Sequence, residues 1–255
     1  MEATLTGHTG YVTALVALPG DRLLSASDDT TLRLWNLGSL ACERVLSGHV
    51  GDVTCACDCG GGLVVSGSRD KTLRVWRLDT GSTAATLKGH TNTVYCVCAL
   101  QPDAAGGARC ASGSADGLVC VWSLRSAACE RVLEGHRCTV YALAFLGDAR
   151  GSLVSGGSDG TMLLWRPDSP TAKPRAMRGH TDAVLALAPL PGGRCVSASQ
   201  DGALRVWHPK EGTCEALLQG HTNWVLACAP LHPAPPKPPT KARRRGVDDT
   251  SSDDD

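Results

Sequence analysis

Large aromatic side chains are scarce in this sequence: one Phe, three Tyr and six Trp make up 4% of it. With 29 Gly and mostly small or branched apolar residues, the mix suits many short strands and turns better than long helices. No surplus charge is present either, with 25 basic against 25 acidic residues. Such a balance provides no field to draw in nucleic acid or an anionic membrane. Long apolar runs are missing too. None approaches the roughly 20 residues of a membrane helix, and the first segment, Met1 to Leu18, is interrupted by His8 and lacks a basic leader. These absences point to a soluble, non-secreted protein of the cytosol or nucleus. The 255 residues, 42% of them hydrophobic, suffice for one substantial core, so one folded domain is expected.

What is present is a repeat. Gly-His recurs at 7-8, 48-49, 89-90, 135-136, 179-180 and 220-221, at intervals of 41 to 46 residues. Units therefore start at Gly7, Gly48, Gly89, Gly135 and Gly179, with a partial one from Gly220. A tryptophan keeps step at Trp35, Trp76, Trp122, Trp165 and Trp207. Six residues before each stands an aspartate: Asp29, Asp70, Asp116, Asp159 and Asp201. Five matches in five exclude coincidence.

Each unit reads as four short strands. A valine opens an alternating run, a Ser-rich strand follows, and a tight turn at the aspartate leads into a strand ending in tryptophan. The third strand alternates with period two, as in Leu32 and Leu34 or Leu73 and Val75. A fourth strand closes the unit, and Ala-Cys-Glu-Arg-Val-Leu occurs identically at 41–46 and 128–133.

Units of this length and pattern resemble the WD-repeat family of β-propellers over about residues 2 to 231. The name-giving Trp-Asp pair is absent, its place taken by Trp35-Asn36, Trp76-Arg77, Trp122-Ser123, Trp165-Arg166 and Trp207-His208. The Gly-His pairs and the turn aspartates carry the assignment. The resemblance implies an all-β propeller of five full four-stranded blades plus an incomplete sixth.

In that family a His, an Asp, a Ser or Thr and the Trp form a hydrogen-bonded tetrad in each blade. Carried over by residue, the resemblance implies His8-Asp29-Trp35, His49-Asp70-Trp76, His90-Asp116-Trp122, His136-Asp159-Trp165 and His180-Asp201-Trp207. The hydroxyls would come from Ser27, Ser68, Ser114 and Ser199. The fourth unit has Gly157 there, so either Ser155 substitutes or that tetrad is incomplete. The histidines are thus read as structural, with no catalytic residues.

Ring closure is irregular on this reading. Residues 2 to 5 supply only a last strand and residues 222 to 231 only a first, two strands that are not neighbours in a sheet. A piece of a longer propeller, a distorted five-bladed ring, and a partial ring completed by a partner all fit, the first being favoured. An open ring would expose unpaired edges and an apolar face, so the isolated chain is expected to behave poorly. From His232 to Asp255 the composition turns Pro-rich, then basic at Lys241-Ala242-Arg243-Arg244-Arg245, then acidic. This reads as a disordered, solvated tail. Its basic cluster also fits a nuclear import signal, and Thr250, Ser251 and Ser252 fit sites for an acidic-directed kinase.

Thirteen cysteines suggest disulfides or zinc. Yet Cys55 and Cys57 align with Ala14 and Val16 of the first unit, and Cys59 with Leu18. Cys110 and Cys195 likewise match Leu23, Val64 and Leu153. Zinc-type Cys-x-x-Cys pairs are absent, so these cysteines are read as core residues and the thiols as free, which implies a reducing compartment, with no metal and no cofactor.

Partner contacts must come from positions that vary between units. The residue before the opening valine reads Tyr11, Asp52, Thr93, Thr139, Ala183 and Trp224. The one before the turn aspartate reads Asp28, Arg69, Ala115, Ser158 and Gln200. Tyr, Trp and Arg most often anchor interfaces, which selects Tyr11, Arg69 and Trp224. The expected function is a non-enzymatic scaffold or adaptor binding peptides or proteins, within a larger complex or alone. The alternative is substrate recognition for a ubiquitin ligase. Only Trp122-Ser123-Leu124-Arg125 comes near the cullin-adaptor ending of that class, without its acidic residue. The sequence also leaves no room before Met1 for an F-box. Gly60-Gly61-Gly62 and Gly106-Gly107 lack the following helix or lysine of a phosphate loop.

Overall fold

The computed structural model describes residues 3–169 and 171–229. All regular structure there is β: twenty strands in five antiparallel four-stranded sheets. The first sheet holds β1 (Val12–Leu18), β2 (Arg22–Ser27), β3 (Thr31–Asn36) and β4 (Ala41–Ser47). The second holds β5 (Val53–Asp58), β6 (Leu63–Ser68), β7 (Leu73–Arg77) and β8 (Thr83–Leu87). The third has β9 (Val94–Leu100), β10 (Arg109–Ser114), β11 (Val119–Ser123) and β12 (Ala128–Leu133). Next come β13 (Val140–Phe145), β14 (Leu153–Gly157), β15 (Met162–Trp165) and β16 (Arg175–Met177). The fifth is β17 (Val184–Leu190), β18 (Arg194–Ser199), β19 (Leu204–His208) and β20 (Thr213–Leu218). In every sheet the strands lie in chain order, a meander of hairpins.

The first strands pack on one another in succession, β1 on β5, β5 on β9, β9 on β13 and β13 on β17. The fourth strands face outward, and β4 buries only Leu46. Five propeller blades with innermost first strands follow. The core lies between blades. One joint sets Leu24, Leu32, Leu34 and Leu46 of the first blade against Val53, Val64, Trp76 and Leu78 of the second, and the same positions meet at the next three joints.

The two end blades show half of that joint each. Val12 is 51% exposed where its counterpart Val53 is 0% exposed. At the other end Leu218 is 49% exposed where Leu46 is 0% exposed. Among the described residues these two end faces are left uncovered.

The expected single strands at residues 2–5 and 222–231 do not form within the described residues 3–5 and 222–229. Neither segment is paired in a ladder with a neighbouring strand. Residues around Val225 nevertheless lie on the fifth blade, with the Val225 amide donating to the Ser199 carbonyl at 3.0 Å. The tail signals from His232 onward lie outside the described residues.

Candidate functional site

The Gly-His pair is explained by what lies over it. A Cβ on Gly48, Gly89, Gly135 or Gly179 would stand 3.2, 3.0, 2.8 or 3.0 Å from the Cη2 atom of its blade's tryptophan. Only glycine lets the indole close over the loop. The following histidine then reaches down inside the blade. In the second blade His49 Nδ1 donates to Asp70 Oδ2 at 2.7 Å, and Ser66 Oγ donates to His49 Nε2 at 2.8 Å. Trp76 Nε1 donates to the same Ser66 oxygen at 2.8 Å. The carboxylate fixes the imidazole tautomer, and a continuous Trp-Ser-His-Asp chain results. The first, third and fifth blades repeat it through His8-Asp29, His90-Asp116 and His180-Asp201.

The hydroxyls are not those expected. Ser25, Ser66, Ser112, Ser155 and Ser197 bond the histidine and the indole in all five blades. Ser27, Ser68, Ser114 and Ser199, two residues on and on the same side of the strand, instead accept from the amide of the turn aspartate. Ser68, Ser114 and Ser199 also donate to the carbonyls of Gly51, Asn92 and Asp182. The indole extends only as far as the nearer serine; the farther one lies beside the turn.

Electrostatics follow the bonding. Burial alone would raise the Asp70 carboxyl, but bonds from Thr72 and His49 outweigh it and bring it down to about 2. Burial pushes His49 and His180 below the usual histidine range, opposed by bonds from Asp70 and Asp201. These two imidazoles are therefore neutral at physiological pH, acting as structural links.

The fourth blade departs from this plan. Ser155 still joins His136, at 2.6 Å, to Trp165, at 2.7 Å. No hydrogen bond joins His136 to Asp159, and the amide of Arg137 does not reach that carboxylate as Thr9, Val50, Thr91 and Thr181 do in their blades. Asp159 turns outward and keeps the Thr161 amide at 2.9 Å. Two co-located replacements account for it: Gly157 stands where the other blades have serine, and Cys138 where they have Gly10, Gly51, Asn92 or Asp182. A Cβ on Gly157 would lie 2.9 Å from Cys138 Sγ, so the thiol fills the space a serine would take.

The variable positions are brought together on one face. In all five blades the residue before the turn aspartate donates its amide to the carbonyl of the residue before the opening valine. Asp28 donates to Tyr11, Arg69 to Asp52, Ala115 to Thr93, Ser158 to Thr139 and Gln200 to Ala183, at 2.9 to 3.0 Å. Tyr11 is 84% and Trp224 58% exposed. Arg69 is not a free cation: its guanidinium meets Asp52 at 2.9 Å. The three stand on separate blades, Tyr11 before β1, Arg69 between β6 and β7, and Trp224 after β20.

Of the cysteines assigned to the core, Cys55, Cys110 and Cys195 are buried and Cys57 and Cys59 are half-buried against it, whereas Cys42, Cys129 and Cys214 on the fourth strands are exposed. Cys96 is buried too, and burial pushes the Cys55 and Cys195 thiols up to about 12. Cys55 also shows why glycine follows it across the hairpin, since a Cβ on Gly67 would lie 2.7 Å from its sulfur. All thirteen thiols are unpaired in disulfides. Sequence reasoning missed two features. Tyr95 and Tyr141 stack edge to face on adjacent inner strands, ring centres 5.0 Å apart; their shared position after the opening valine was the available signal. Cys138 was missed because only Gly157, not its partner replacement, was read.

The family model for the WD domain, G-beta repeat, matches residues 1–36, 40–77, 81–123, 127–166 and 172–208. Among curated proteins, Nuclear distribution protein PAC1 of Arthroderma otae is 38% identical over 82 residues, 29% of this chain and 18% of that protein. F-box/WD repeat-containing protein 7 of Drosophila melanogaster is 40% identical over 63 residues, covering 25% of this chain and 5% of its own. WD repeat-containing protein pop1 of Schizosaccharomyces pombe is 49% identical over 53 residues, or 21% of this chain and 7% of that one. The chain spans less than a fifth of the length of these relatives.

Proposed function

The chain belongs to the WD40 family of WD-domain, G-beta repeats, and from that premise we propose that it is a non-enzymatic scaffold that holds peptides or proteins on the face of its Gly-His loops. WD-repeat proteins generally act as protein-interaction scaffolds and are generally non-enzymatic. One observation supports the placement: the variable side chains are paired along one face by the same backbone hydrogen bond in every blade, while the repeated polar residues are spent inside the blades. Tyr11 and Trp224 supply rigid, amphipathic contact area there. Neutral overall charge fits protein rather than polyanion partners, and the free thiols fit the reducing cytosol or nucleus.

The test is quantitative capture of cell proteins by the whole chain, by Tyr11→Ala, Arg69→Ala and Trp224→Ala variants, and by the outer-strand variant Val132→Ser. Partners lost with the face variants and kept with Val132→Ser support the reading. If capture is indifferent to all three face variants, the site assignment fails.

The second reading, substrate recognition for a ubiquitin ligase, rests on the similarity to an F-box/WD repeat-containing protein. Against it, Trp122 of the Trp122-Arg125 segment is fully buried in its tetrad. Recovery of cullin components in the same capture would favour it, and their absence would end it.

A further inference from the structure

In four blades the turn aspartate locks its histidine. The fourth blade instead assembles three groups of a different chemistry. His136, Cys138 and Asp159 place one ligand atom each within 4.8 Å of one another. Their arrangement converges: the point where a Gly157 Cβ would sit is 2.9 Å from Cys138 Sγ, 2.9 Å from His136 Nδ1 and 3.0 Å from Asp159 Oδ1. In every other blade a serine side chain fills that point, since Ser27, Ser68, Ser114 and Ser199 take the position of Gly157.

The geometry points to a transition-metal site in the fourth blade, in which Cys138 Sγ, His136 Nδ1 and Asp159 Oδ1 take a zinc-type divalent cation. A tetrahedral zinc ion holds sulfur at about 2.3 Å and nitrogen or oxygen at about 2.0–2.2 Å. Its ligands therefore stand roughly 3.5 Å apart. Closing the trio onto an ion takes rotamer-scale movement of an exposed carboxylate and a half-buried thiol, with the imidazole already anchored from behind. One soft thiolate, one imidazole and one carboxylate is a donor set suited to Zn2+ or Co2+ rather than to Ca2+ or Mg2+, which take oxygen ligands.

Protons and charge balance. The thiol gives its proton to solvent, and thiolate plus carboxylate neutralise the two charges of the ion. The imidazole stays neutral but carries its proton on Nε2, where Ser155 Oγ accepts it. That oxygen is itself oriented by the Trp165 indole, the outer support that metal-bound histidines ordinarily have. The fourth coordination position opens on a cavity of about 340 Å³ lined by Arg137, Thr161, Leu163 and Arg178. Its two guanidinium groups suit water or an anionic group there, such as a carboxylate from a docked protein. This reading departs from the expectation of no metal: Cys-x-x-Cys spacing was the signal sought, whereas the trio comes from a His-x-Cys loop and the turn aspartate opposite it.

The test uses the reduced full-length chain titrated with Co2+ alone and with Zn2+ alone. The expected result is one equivalent of Co2+ with a thiolate-to-cobalt charge-transfer band, displaced by Zn2+, and a Tm raised by Zn2+. The paired variant Cys138→Asn with Gly157→Ser copies the third blade, where Asn92 and Ser114 stand, and so retains the fold. It should lose both the band and the Zn2+ effect on Tm. A wild-type chain that shows no saturable band, or a paired variant that keeps it, overturns the site; the latter would put the ion on other thiols.

Discussion

The second and fourth blades share one plan and treat their turn aspartates in opposite ways. Asp70 accepts from His49 at 2.7 Å, from the amide of Val50 at 3.1 Å, and from the amide and hydroxyl of Thr72 at 2.9 and 2.6 Å. Asp159 keeps the Thr161 amide alone of these and faces solvent. Both blades nevertheless have the same strand order and bury their tryptophans. The difference teaches that the Trp-Ser-His part of the chain shapes the blade, and that the aspartate is a removable lock on the loop above it.

Breaking the lock should give the largest effect. Asp70→Ala strips the partners from two amides, a hydroxyl and a buried imidazole, each unsatisfied group costing about 1–3 kcal/mol. Since water reaches the loop amides, about 3 kcal/mol is expected for the whole. Asp159→Ala should cost about 1 kcal/mol or less, because that exposed carboxylate leaves no imidazole and no residue-137 amide unpaired when it is removed. Urea unfolding midpoints of the two variants decide the matter, and equal losses would mean that the fourth lock closes in solution.

How much of this was legible in the sequence depended on whether a feature is periodic. Strand number, blade order and the identity of the histidines, aspartates and tryptophans recur five times, so they could be read from spacing. The hydroxyl could not. Ser25 and Ser27 lie two residues apart and point to the same side of β2, so a period of two cannot choose between them, and only the reach of the indole decides. The open lock was half legible: Gly157 broke the pattern visibly, but Cys138 occupies a loop position whose residue changes from blade to blade. Its meaning is a three-dimensional coincidence with Gly157. Pairing of Arg69 with Asp52 was hidden for the same reason, since the two are joined by loop geometry between β5 and the β6–β7 turn.

Acid should sharpen the contrast by a smaller amount. The Asp70 carboxyl is depressed to about 2 in the folded chain against about 3.9 unfolded. Its contribution is thus complete above about 3.9 and is lost as pH falls towards about 2, because the unfolded chain takes up the proton first. Buried His49 acts in the same direction at higher pH. It is held below the usual range when folded, so stability starts to fall below about 6.5 as the unfolded histidine becomes charged. Denaturant titrations at pH 7, 5 and 3.5 should show wild-type stability falling at each step. Asp70→Asn should lose less than the wild type between pH 5 and 3.5, and a variant that runs parallel to the wild type across that interval refutes the assignment.

The smallest effect is also the most specific, because it asks whether the two replacements in the fourth blade belong together. Gly157→Ser alone places a Cβ 2.9 Å from Cys138 Sγ and 2.9 Å from His136 Nδ1, and such crowding in a packed loop costs about 1–3 kcal/mol. Cys138→Asn alone removes the sulfur that fills the gap and leaves a void. Made together, the serine hydroxyl regains the carbonyl of residue 138 as acceptor, as Ser114 does with Asn92. The asparagine side chain can then accept from the next amide, as Asn92 does from Thr93. The paired variant is therefore expected to equal or exceed the metal-free wild type, by up to about 1 kcal/mol, although at least one single variant falls below it. A double-mutant cycle in metal-free buffer measures the coupling. Simple additivity of the two changes would show that Cys138 and Gly157 are independent accidents of the fourth blade, whereas a coupling of about 1 kcal/mol or more would show that the thiol and the missing side chain form one unit.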